Sequence, residues 1–579
     1  MFAKCRLMRR SVRAYPSRVA RAAGDSVLTL APLVVLPALV IPALAFLIVG
    51  SFRTLGPGAP EANFTLDNWL FVLQARNVRA VANSLVLGST TAVLSVIAGT
   101  GIAWFLVRTD LFGRRALGSL IIVPLLFSPL LTTLAYVGIA GPNAGLINVL
   151  AKQVAGAHGP IVDIYSLPGM VFVLLLHYTP YVYLAVRSAL LNSDPDLEAA
   201  SRVLGASVLT TARRITFPII APAVLSGGLL VFVIAAEEFS VPSILGTVAG
   251  IPTLPYVIYE NVAEFPARPT RASALGLVLL LIMLTTVYFY IRSLGSGERH
   301  VTLTGKGSRG DLVHLAIPLR VLGLGAIAAY LCLAVLLPYA VLLFGSFSSY
   351  FATTHFDVSL FTLKNYQDLF ASSRMGIALR NTALLVLTAA SATTLLAALL
   401  SRVSVRGRPP WRRIVDYLAV TPVFIPGVVL GLGMLWAYVS IPLGLYGTIG
   451  ILLLAYTTRF VGHGTRIVSA GYRQLSRQLE EAAYTLGSSQ ARTFLTITLP
   501  LLRTSLAATW LLVAIFSSLE ISSSMFLYTG DSMTAAVFVY LTMSGGVLSQ
   551  AFSAAAVLAT LTFGLVSIAQ WRLRALDKF

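Results

Sequence analysis

The chain carries little charge, and most of that charge is of one sign. Only 11% of its 579 residues are Asp, Glu, Lys or Arg, whereas 57% are hydrophobic. Soluble domains carry roughly 25% charged residues, so the composition excludes an ordinary soluble protein. It predicts an all-α integral membrane protein, and the length predicts two halves rather than one core.

Cysteine and histidine are also scarce. Cys5 and Cys332 have no partner at a metal-binding or redox spacing, and the six histidines are scattered. We therefore expect no disulfide framework, no metal site and no catalytic residues. A membrane-embedded enzyme would need acids or histidines clustered at one membrane face, and the sequence shows no such cluster.

A phosphate-binding loop is missing too. The nearest approach to GxxxxGK[ST], at Thr304–Ser308, lacks the first glycine and the spacing. We expect this chain to bind no cofactor and not to hydrolyse ATP.

Apolar runs of about 18–25 residues predict twelve spans, because the hydrocarbon core is roughly 30 Å thick. They lie at 27–50, 81–106, 117–137, 168–190, 219–241 and 272–293, and then at 316–344, 379–401, 415–439, 447–467, 501–522 and 548–571.

The distribution of Lys and Arg predicts the orientation. Residues 1–26 include seven basic side chains. Placing them in the cytoplasm puts about 33 of the 42 Lys and Arg on that side, so both termini are expected there. The net charge of +20 then reflects topology in a lipid bilayer and not binding to nucleic acid.

A charged, helix-forming segment occurs twice. Residues 197–218 read LEAASRVLGASVLTTARRITFP, and residues 479–500 read LEEAAYTLGSSQARTFLTITLP. When the two segments are aligned without gaps, Glu, Ala, Leu, Gly and Pro recur at the same places. Both copies fall between the fourth and fifth spans of a half, which predicts two parallel six-helix repeats.

The repeat also predicts the domain limits. FTLDNW at 64–69 returns as FTLKNY at 361–366, and Asn83 corresponds to Asn381. We predict a cytoplasmic N-terminus at 1–26, a first domain at 27–293, a Gly-rich linker at 294–315 and a second domain at 316–579.

Each repeated segment predicts a short amphipathic helix outside the membrane. Glu198 and Arg202 are spaced to pair, Gly205 ends or bends the helix or admits another backbone, and Pro218 marks the next span. A helix lying on lipid headgroups is the alternative to a protein-docking helix.

The doubled segment resembles the EAA loop of binding-protein-dependent ABC importer permeases, and nearly the whole chain is similar to two such permeases fused. The resemblance implies a type I importer architecture in the bacterial inner membrane. It also implies two copies of a cytoplasmic ABC ATPase subunit, which uses the ATP, and an extracytoplasmic solute-binding protein.

In that family the loop couples the permease to the ATPase. The residues to which the resemblance assigns this role are Glu198, Ala199, Ala200, Leu204, Gly205 and Pro218 in the first copy, and Glu480, Glu481, Ala482, Ala483, Leu486, Gly487 and Pro500 in the second. The acid is single in one copy and double in the other, so the two docking surfaces are expected to differ.

A rival transporter class has some support. Asp110, Gly113, Arg114 and Arg115 resemble part of a motif of the major facilitator superfamily, whose members also have twelve spans in two halves. A short basic turn is the alternative interpretation of this segment.

Carboxylates near the ends of two spans suggest a pathway. Under the alignment of the repeated segments, Glu238 corresponds to Glu520 and Ser240 corresponds to Ser522. Acids within spans are often functional, so we predict that these four residues line the translocation path. Helix-terminal acids that only brace their neighbours are the alternative.

The substrate prediction is ferric iron. Hard cations prefer oxygen ligands, and Glu-x-Ser, GPNAGLIN at 141–148 and LYGTIGILLLAY at 445–456 resemble ferric-iron-type permeases. Related permeases for thiamine, phosphonates or another small solute share most of these features.

Overall fold

The computed structural model describes residues 18–59, 61–156, 158–295, 312–349, 361–407 and 411–576. These residues are mostly helical, and β-pairing among them is limited to three isolated bridges. The predicted all-α class is confirmed.

The described part of the first half contains α1 (Arg18–Ser51), α2 (Asp67–Val72), α3 (Ala75–Arg108), α4 (Arg114–Leu120), α5 (Pro129–Ala140), α6 (Leu146–Ala155), α7 (Leu167–Asn192), α8 (Pro195–Val203), α9 (Val208–Thr211), α10 (Phe217–Ala236), α11 (Leu254–Ala263) and α12 (Pro269–Gly295).

The described part of the second half contains α13 (Ile317–Leu331), α14 (Leu337–Phe347), α15 (Lys364–Ala371), α16 (Ser373–Arg406), α17 (Trp411–Val420), α18 (Gly427–Ser440), α19 (Ile449–Gln474), α20 (Arg477–Thr485), α21 (Gln490–Thr493), α22 (Leu499–Leu501), α23 (Arg503–Leu519), α24 (Ser524–Leu527), α25 (Ala535–Ser544) and α26 (Leu548–Leu576).

Within the described ranges, length and apolar composition identify eight helices able to cross a membrane, or up to eleven if each sharply bent pair counts as one span. The predicted number of twelve is therefore not confirmed. The predicted span 447–467 corresponds to α19, which carries Arg459, His463 and Arg466 within its length. These side chains lower its apolar character.

Two predicted spans are not continuous. The span predicted at 117–137 bends by 93° between Arg114–Leu126 and Pro129–Ala140. The span predicted at 415–439 bends by 103° between Trp411–Phe424 and Gly427–Ser440. Pro129 and Pro426 lie at the bends, where their missing N–H groups interrupt helical hydrogen bonding.

The two halves run in the same direction. Helices α3 and α16 each have 34 residues, and α7 and α19 each have 26. The chain enters the second half beside the end of α3, crosses through α13 and α14, and returns through α16. The ends of α3 and α16 therefore share one face with α8 and α20, which we call the loop-helix face.

The first span of each half contacts the other half; in the second half this span consists of α13 and α14. Helix α1 lies mainly on α18, and α14 lies on α5 as well as on α26. A Cβ on Gly433 of α18 would meet the Ala43 carbonyl of α1. Tyr136 of α5 donates to the Leu333 carbonyl at 2.7 Å. One apolar core consequently contains side chains from both halves.

Most of the predicted linker, residues 296–311, lies outside the described residues. Its end is held against α3. The Val313 amide donates to the Arg108 carbonyl at 2.9 Å, and the Asp110 amide donates to the Val313 carbonyl at 3.4 Å. The junction between halves is therefore attached to the loop-helix face.

Candidate functional site

The first repeated segment folds as α8, and its glutamate turns into the protein. Glu198 is only 7% exposed. Its Oε1 accepts hydrogen bonds from Arg108 Nε at 3.1 Å and from Thr216 Oγ1 at 3.0 Å. The side chain of Arg202, its predicted partner, lies outside the described residues. Glu198 ties the loop to the end of α3 and to the start of the next span.

The second segment folds as α20 with the same arrangement. Glu480 is 8% exposed. Its Oε2 accepts from Arg406 Nε at 2.8 Å, and its Oε1 accepts from Tyr472 Oη at 2.7 Å and Thr498 Oγ1 at 3.0 Å. Arg108 and Arg406 are both the last residue of a 34-residue helix. Each loop glutamate is therefore held by a corresponding arginine.

The environment of Glu480 affects its ionisation. Burial opposes the charged form, but hydrogen bonds from Tyr472, Arg406 and Thr498 outweigh burial and lower the pKa of Glu480 below its ordinary value of 4.5. The first loop lacks the tyrosine, because the residue that corresponds to Tyr472 in the first half is Leu190. The two loops thus differ in how firmly their glutamates are held.

An exposed leucine follows each loop helix. Leu204 is 87% exposed and Leu486 is 85% exposed. The next residues, Gly205 and Gly487, have φ of +85° and +84°, and no other group lies within 4 Å of a Cβ built on either. These glycines end the helices in a left-handed turn. The close approach of another backbone, which the sequence also allowed, is not observed at either glycine.

The remaining predicted loop residues occupy different environments. Ala200 and Ala482 are exposed, Ala199 is partly buried and Ala483 is buried. Glu481 is exposed and pairs with Arg477 at 2.9 Å. Pro218 lies in the first turn of α10, as predicted, whereas Pro500 lies in α22, before a 75° bend that leads into α23. Both prolines follow a π-helical turn, at 212–216 and 494–498.

The first predicted pathway acid lies just beyond the end of α10. Glu238 Oε2 accepts from Tyr178 Oη at 2.6 Å. Its Oε1 accepts from the backbone amide of Ser240 at 3.0 Å and from the hydroxyl of the same serine. Tyr178 is the twelfth residue of the 26-residue helix α7. The acid therefore lies beside the middle of α7.

The second acid lies just beyond the end of α23. Glu520 Oε1 accepts from the amide and the hydroxyl of Ser523, at 3.0 and 3.1 Å. Ser523, and not the predicted Ser522, thus plays the part that Ser240 plays in the first half. Ser522 is partly buried near Gly427.

An arginine that the sequence analysis missed joins the two halves at this level. Arg459 Nε lies 3.1 Å from Glu520 Oε2, and Arg459 Nη2 lies 3.7 Å from Glu237 Oε1. Arg459 is the eleventh residue of the 26-residue helix α19. An arginine inside a predicted span was the signal that could have identified it. We call Glu237, Glu238, Arg459 and Glu520 the central cluster.

Among the described residues, no group of three or more His, Cys, Asp or Glu side chains is arranged to hold a metal ion. The central cluster combines three carboxylates with one guanidinium. In this arrangement it forms ion pairs and hydrogen bonds within the protein, and it joins α10, α19 and the segment after α23.

Asp110, the acid of the facilitator-like motif, holds the second half. It accepts from the Leu315 amide at 3.3 Å, lies 2.9 Å from His314 Nδ1, and pairs with Arg320. The hydrogen bond from His314 is the largest of the effects that lower the pKa of Asp110. This acid therefore fastens α13 to the end of α3.

Comparison with known sequences decides the class of transporter. The family described as "Binding-protein-dependent transport system inner membrane component" matches residues 93–294 and 390–577. The two matches cover more than half of the chain, and each includes one loop helix. The chain belongs to this family. It is the membrane component of a transport system that depends on a binding protein, and the facilitator alternative is wrong.

Individual relatives have related names. A permease protein named for ferric transport, FbpB 1 of Haemophilus influenzae, is 28% identical over 79% of this chain and 72% of its own length. The ferric transport system permease protein FbpB of Actinobacillus pleuropneumoniae is 26% identical over 85% of this chain and 71% of its own. A permease named for 2-aminoethylphosphonate transport, PhnU of Salmonella choleraesuis, is 26% identical over 45% of this chain and 89% of its own.

Proposed function

We propose that this permease carries ferric iron across the bacterial inner membrane, driven by two copies of a separate ABC ATPase subunit. The ATPases dock on α8 and α20, and a solute-binding protein delivers the cargo at the opposite face. The observation that carries the proposal is the pair of loop helices, each with a buried glutamate and an exposed leucine at the same register.

The loop helices suit the transmission of force. Their glutamates fix them to α3 and α16, so that a push on either helix moves a long span rather than a flexible loop. Leu204 and Leu486 offer an apolar side chain to a partner, because a glycine turn holds each away from the protein. A docking helix therefore explains the exposed leucines better than a helix covered by lipid does.

The proposed orientation places the loop-helix face in the cytoplasm, with both termini on the same side. The excess of Lys and Arg in the loops assigned to that face supports it. ATP is then used by the partner subunits, and this chain contributes no cofactor-binding site of its own.

Ferric iron suits the central cluster. The cluster gathers three carboxylates from the two halves around one guanidinium. Hard cations prefer such ligands. Two relatives that span most of the chain are also named for ferric transport.

A phosphonate is the second candidate, because one relative is named for 2-aminoethylphosphonate transport. An anionic cargo would meet three carboxylates in the central cluster, and like charges repel each other more strongly in a low dielectric than in water. The cluster therefore favours the cation.

The first experiment recovers the chain from its native membrane in mild detergent and identifies co-purifying proteins by mass spectrometry. We expect an ATPase with a phosphate-binding loop and a solute-binding protein. Repeated recovery of the intact chain alone would contradict the proposal.

The docking surface is then tested by substitution. Leu204→Glu combined with Leu486→Glu should reduce the recovered ATPase by at least about tenfold, because each change places a charge in an apolar contact. Val154→Glu, at an equally exposed apolar residue on α6 (85%), is the control and should leave recovery unchanged. Full ATPase recovery with the double variant would show that the leucines do not form the docking surface.

Transport is measured with the purified complex in liposomes. Radioactive Fe³⁺ delivered by the binding protein should accumulate only when ATP is present on the ATPase side. Accumulation of 2-aminoethylphosphonate instead of iron would establish the second candidate.

A further inference from the structure

The ion pairs of Arg459 connect the two halves at the central cluster, whereas Asp110 connects them at the loop-helix face. Arg459 and Glu520 belong to the second half, whereas Glu237 belongs to the first. All three side chains are largely shielded from solvent. A buried charge is expensive without a partner, so the contact favours the state in which the halves meet at this level.

The two halves are not equivalent at this point. The residue of the first half that corresponds to Arg459 is His177, on α7. Its Nδ1 makes no hydrogen bond within the part of the chain that the structure describes. Glu238, the counterpart of Glu520, accepts from Tyr178 and Ser240 instead. The fixed positive charge is therefore supplied by the second half.

The fold leaves space for this guanidinium. A Cβ on Gly427 would overlap Arg459 Nη1 and crowd Ser522. Gly427 is the first residue of α18, and the corresponding first residue of α5 is Pro129. The glycine thus occurs in the half that carries the arginine.

Two helix ends add negative potential. Helices α10 and α23 end at Ala236 and Leu519, directly before the acids. The last carbonyls of a helix carry partial negative charge, which attracts cations. Three carboxylates and two such ends face one guanidinium, so the site attracts positive charge beyond what Arg459 supplies.

We propose that Arg459 is an internal counter-cation that closes the pathway between the halves, and that the cargo cation takes its position when the halves separate. In the closed state the guanidinium bridges Glu237 and Glu520. In the open state it swings away towards its own half, and the freed carboxylates meet the cargo. The cargo part of this inference rests on the proposed function, whereas the closing part does not.

The main test measures ATP hydrolysis by the reconstituted permease–ATPase complex without binding protein or cargo. Arg459→Gln should raise this hydrolysis about tenfold, within the roughly 5–150-fold range of typical coupling between sites. Arg459→Lys keeps the charge and should raise it less. Arg466→Gln, at an exposed arginine two turns along α19, is the matched control and should leave hydrolysis unchanged.

Gly427→Ala tests the geometry without removing the charge. The added methyl should displace the guanidinium and reproduce the effect of Arg459→Gln, whereas Gly564→Ala on α26, which has open space around the new methyl, should behave as wild type. Wild-type rates of ATP hydrolysis in both Arg459→Gln and Gly427→Ala would overturn the inference. A raised rate in Arg459→Gln with a wild-type rate in Gly427→Ala would also overturn it.

If Gly427→Ala fails to assemble, a double-mutant cycle takes its place. Glu237→Gln, Arg459→Gln and the double variant are compared, each at equal recovery of the complex. The double variant should hydrolyse no faster than Arg459→Gln, because both changes break one contact. Additive effects would overturn the inference.

The outcomes separate this inference from the proposed function. Failure of the wild-type complex to take up Fe³⁺, with hydrolysis raised in Arg459→Gln, would remove the ferric cargo and leave the closing role. Uptake of Fe³⁺ by the wild type with no change of hydrolysis in Arg459→Gln would remove the closing role and leave the cargo. If both proposals hold, Arg459→Gln should also lower the number of Fe³⁺ ions taken up per ATP hydrolysed.

Discussion

Glu198 and Glu480 show which properties of a residue a repeated motif reveals. The repetition identified both glutamates and their register. It did not reveal that they turn inward, because their arginine partners lie 90 and 74 residues away in sequence. The spacing in the sequence indicated only a pair between Glu198 and Arg202, whereas each loop glutamate is buried and makes charge-assisted hydrogen bonds to an arginine at the end of a long helix.

The first residue-scale prediction concerns Glu480→Gln. The change weakens the hydrogen bonds from Arg406 and Tyr472 and should lower the free energy of unfolding by roughly 2 kcal/mol. Glu481→Gln removes an exposed pair and should cost less than about 0.5 kcal/mol. The apparent unfolding temperature of the purified chain in detergent, followed by tryptophan fluorescence, checks both.

The difference in stability between wild type and Glu480→Gln should depend on pH. The pKa of Glu480 in the folded chain is lower than its ordinary value of 4.5. Its stabilising contribution is therefore complete above that value and is lost as the pH falls through the folded pKa. Wild type should lose more stability than Glu480→Gln on acidification in this range. Parallel pH profiles for the two proteins would contradict the assignment.

Arg459 is the residue that sequence reasoning should have found. Residues that recur in both halves indicated the candidate sites, but the residue that matches Arg459 is His177. A search by repetition cannot identify a residue whose importance lies in breaking the symmetry. The cost of an unpaired arginine inside a span was the better signal.

At the scale of helices, the apolar runs predicted where spans begin and end better than whether they are straight. The bends at Pro129 and Pro426 fall inside runs that hydropathy treats as uniform. Hydropathy averages over a window, whereas a helix breaks at one missing N–H group. Contacts between distant helices, such as α1 with α18, could not be predicted either, because the apolar pattern of a helix does not indicate which other helix it packs against.

The close approach of α1 and α18 gives an element-scale prediction. Gly433→Ala places a methyl against the Ala43 carbonyl and should destabilise the chain by roughly 1–3 kcal/mol, since backbone cannot move aside easily. Gly564→Ala on α26 has open space around the new methyl and is the control. Equal apparent unfolding temperatures for the two variants in detergent would contradict the contact.

At the scale of the whole molecule, the halves are joined by more than the linker. Three kinds of contact cross between them. Helices α1 and α14 pack on helices of the opposite half, Arg459 pairs with Glu237, and Asp110 pairs with Arg320 of α13. The sequence predicted two parallel repeats, and the structure and the family match agree. The limits proposed for the two domains and for the linker remain predictions.

These contacts predict the behaviour of a divided chain. If the chain is interrupted within 296–311 and both fragments are co-expressed, the fragments should co-purify and restore transport. Either fragment alone should fail to accumulate, because its first helix lacks the surface on which it packs. Membrane extraction followed by affinity capture of one fragment measures the association, and stable unassociated fragments would contradict it.

The packing of α1 on a helix of the second half also sets the order in which the chain can assemble. Helix α1 ends at residue 51, and α18, on which it packs, begins at residue 427. At roughly 5–20 residues per second, the ribosome needs about 20–75 seconds to make the intervening chain. During that interval one side of α1 rests against lipid or against the insertion machinery. The first half is made first, but it reaches its final form only after α18 of the second half has been translated.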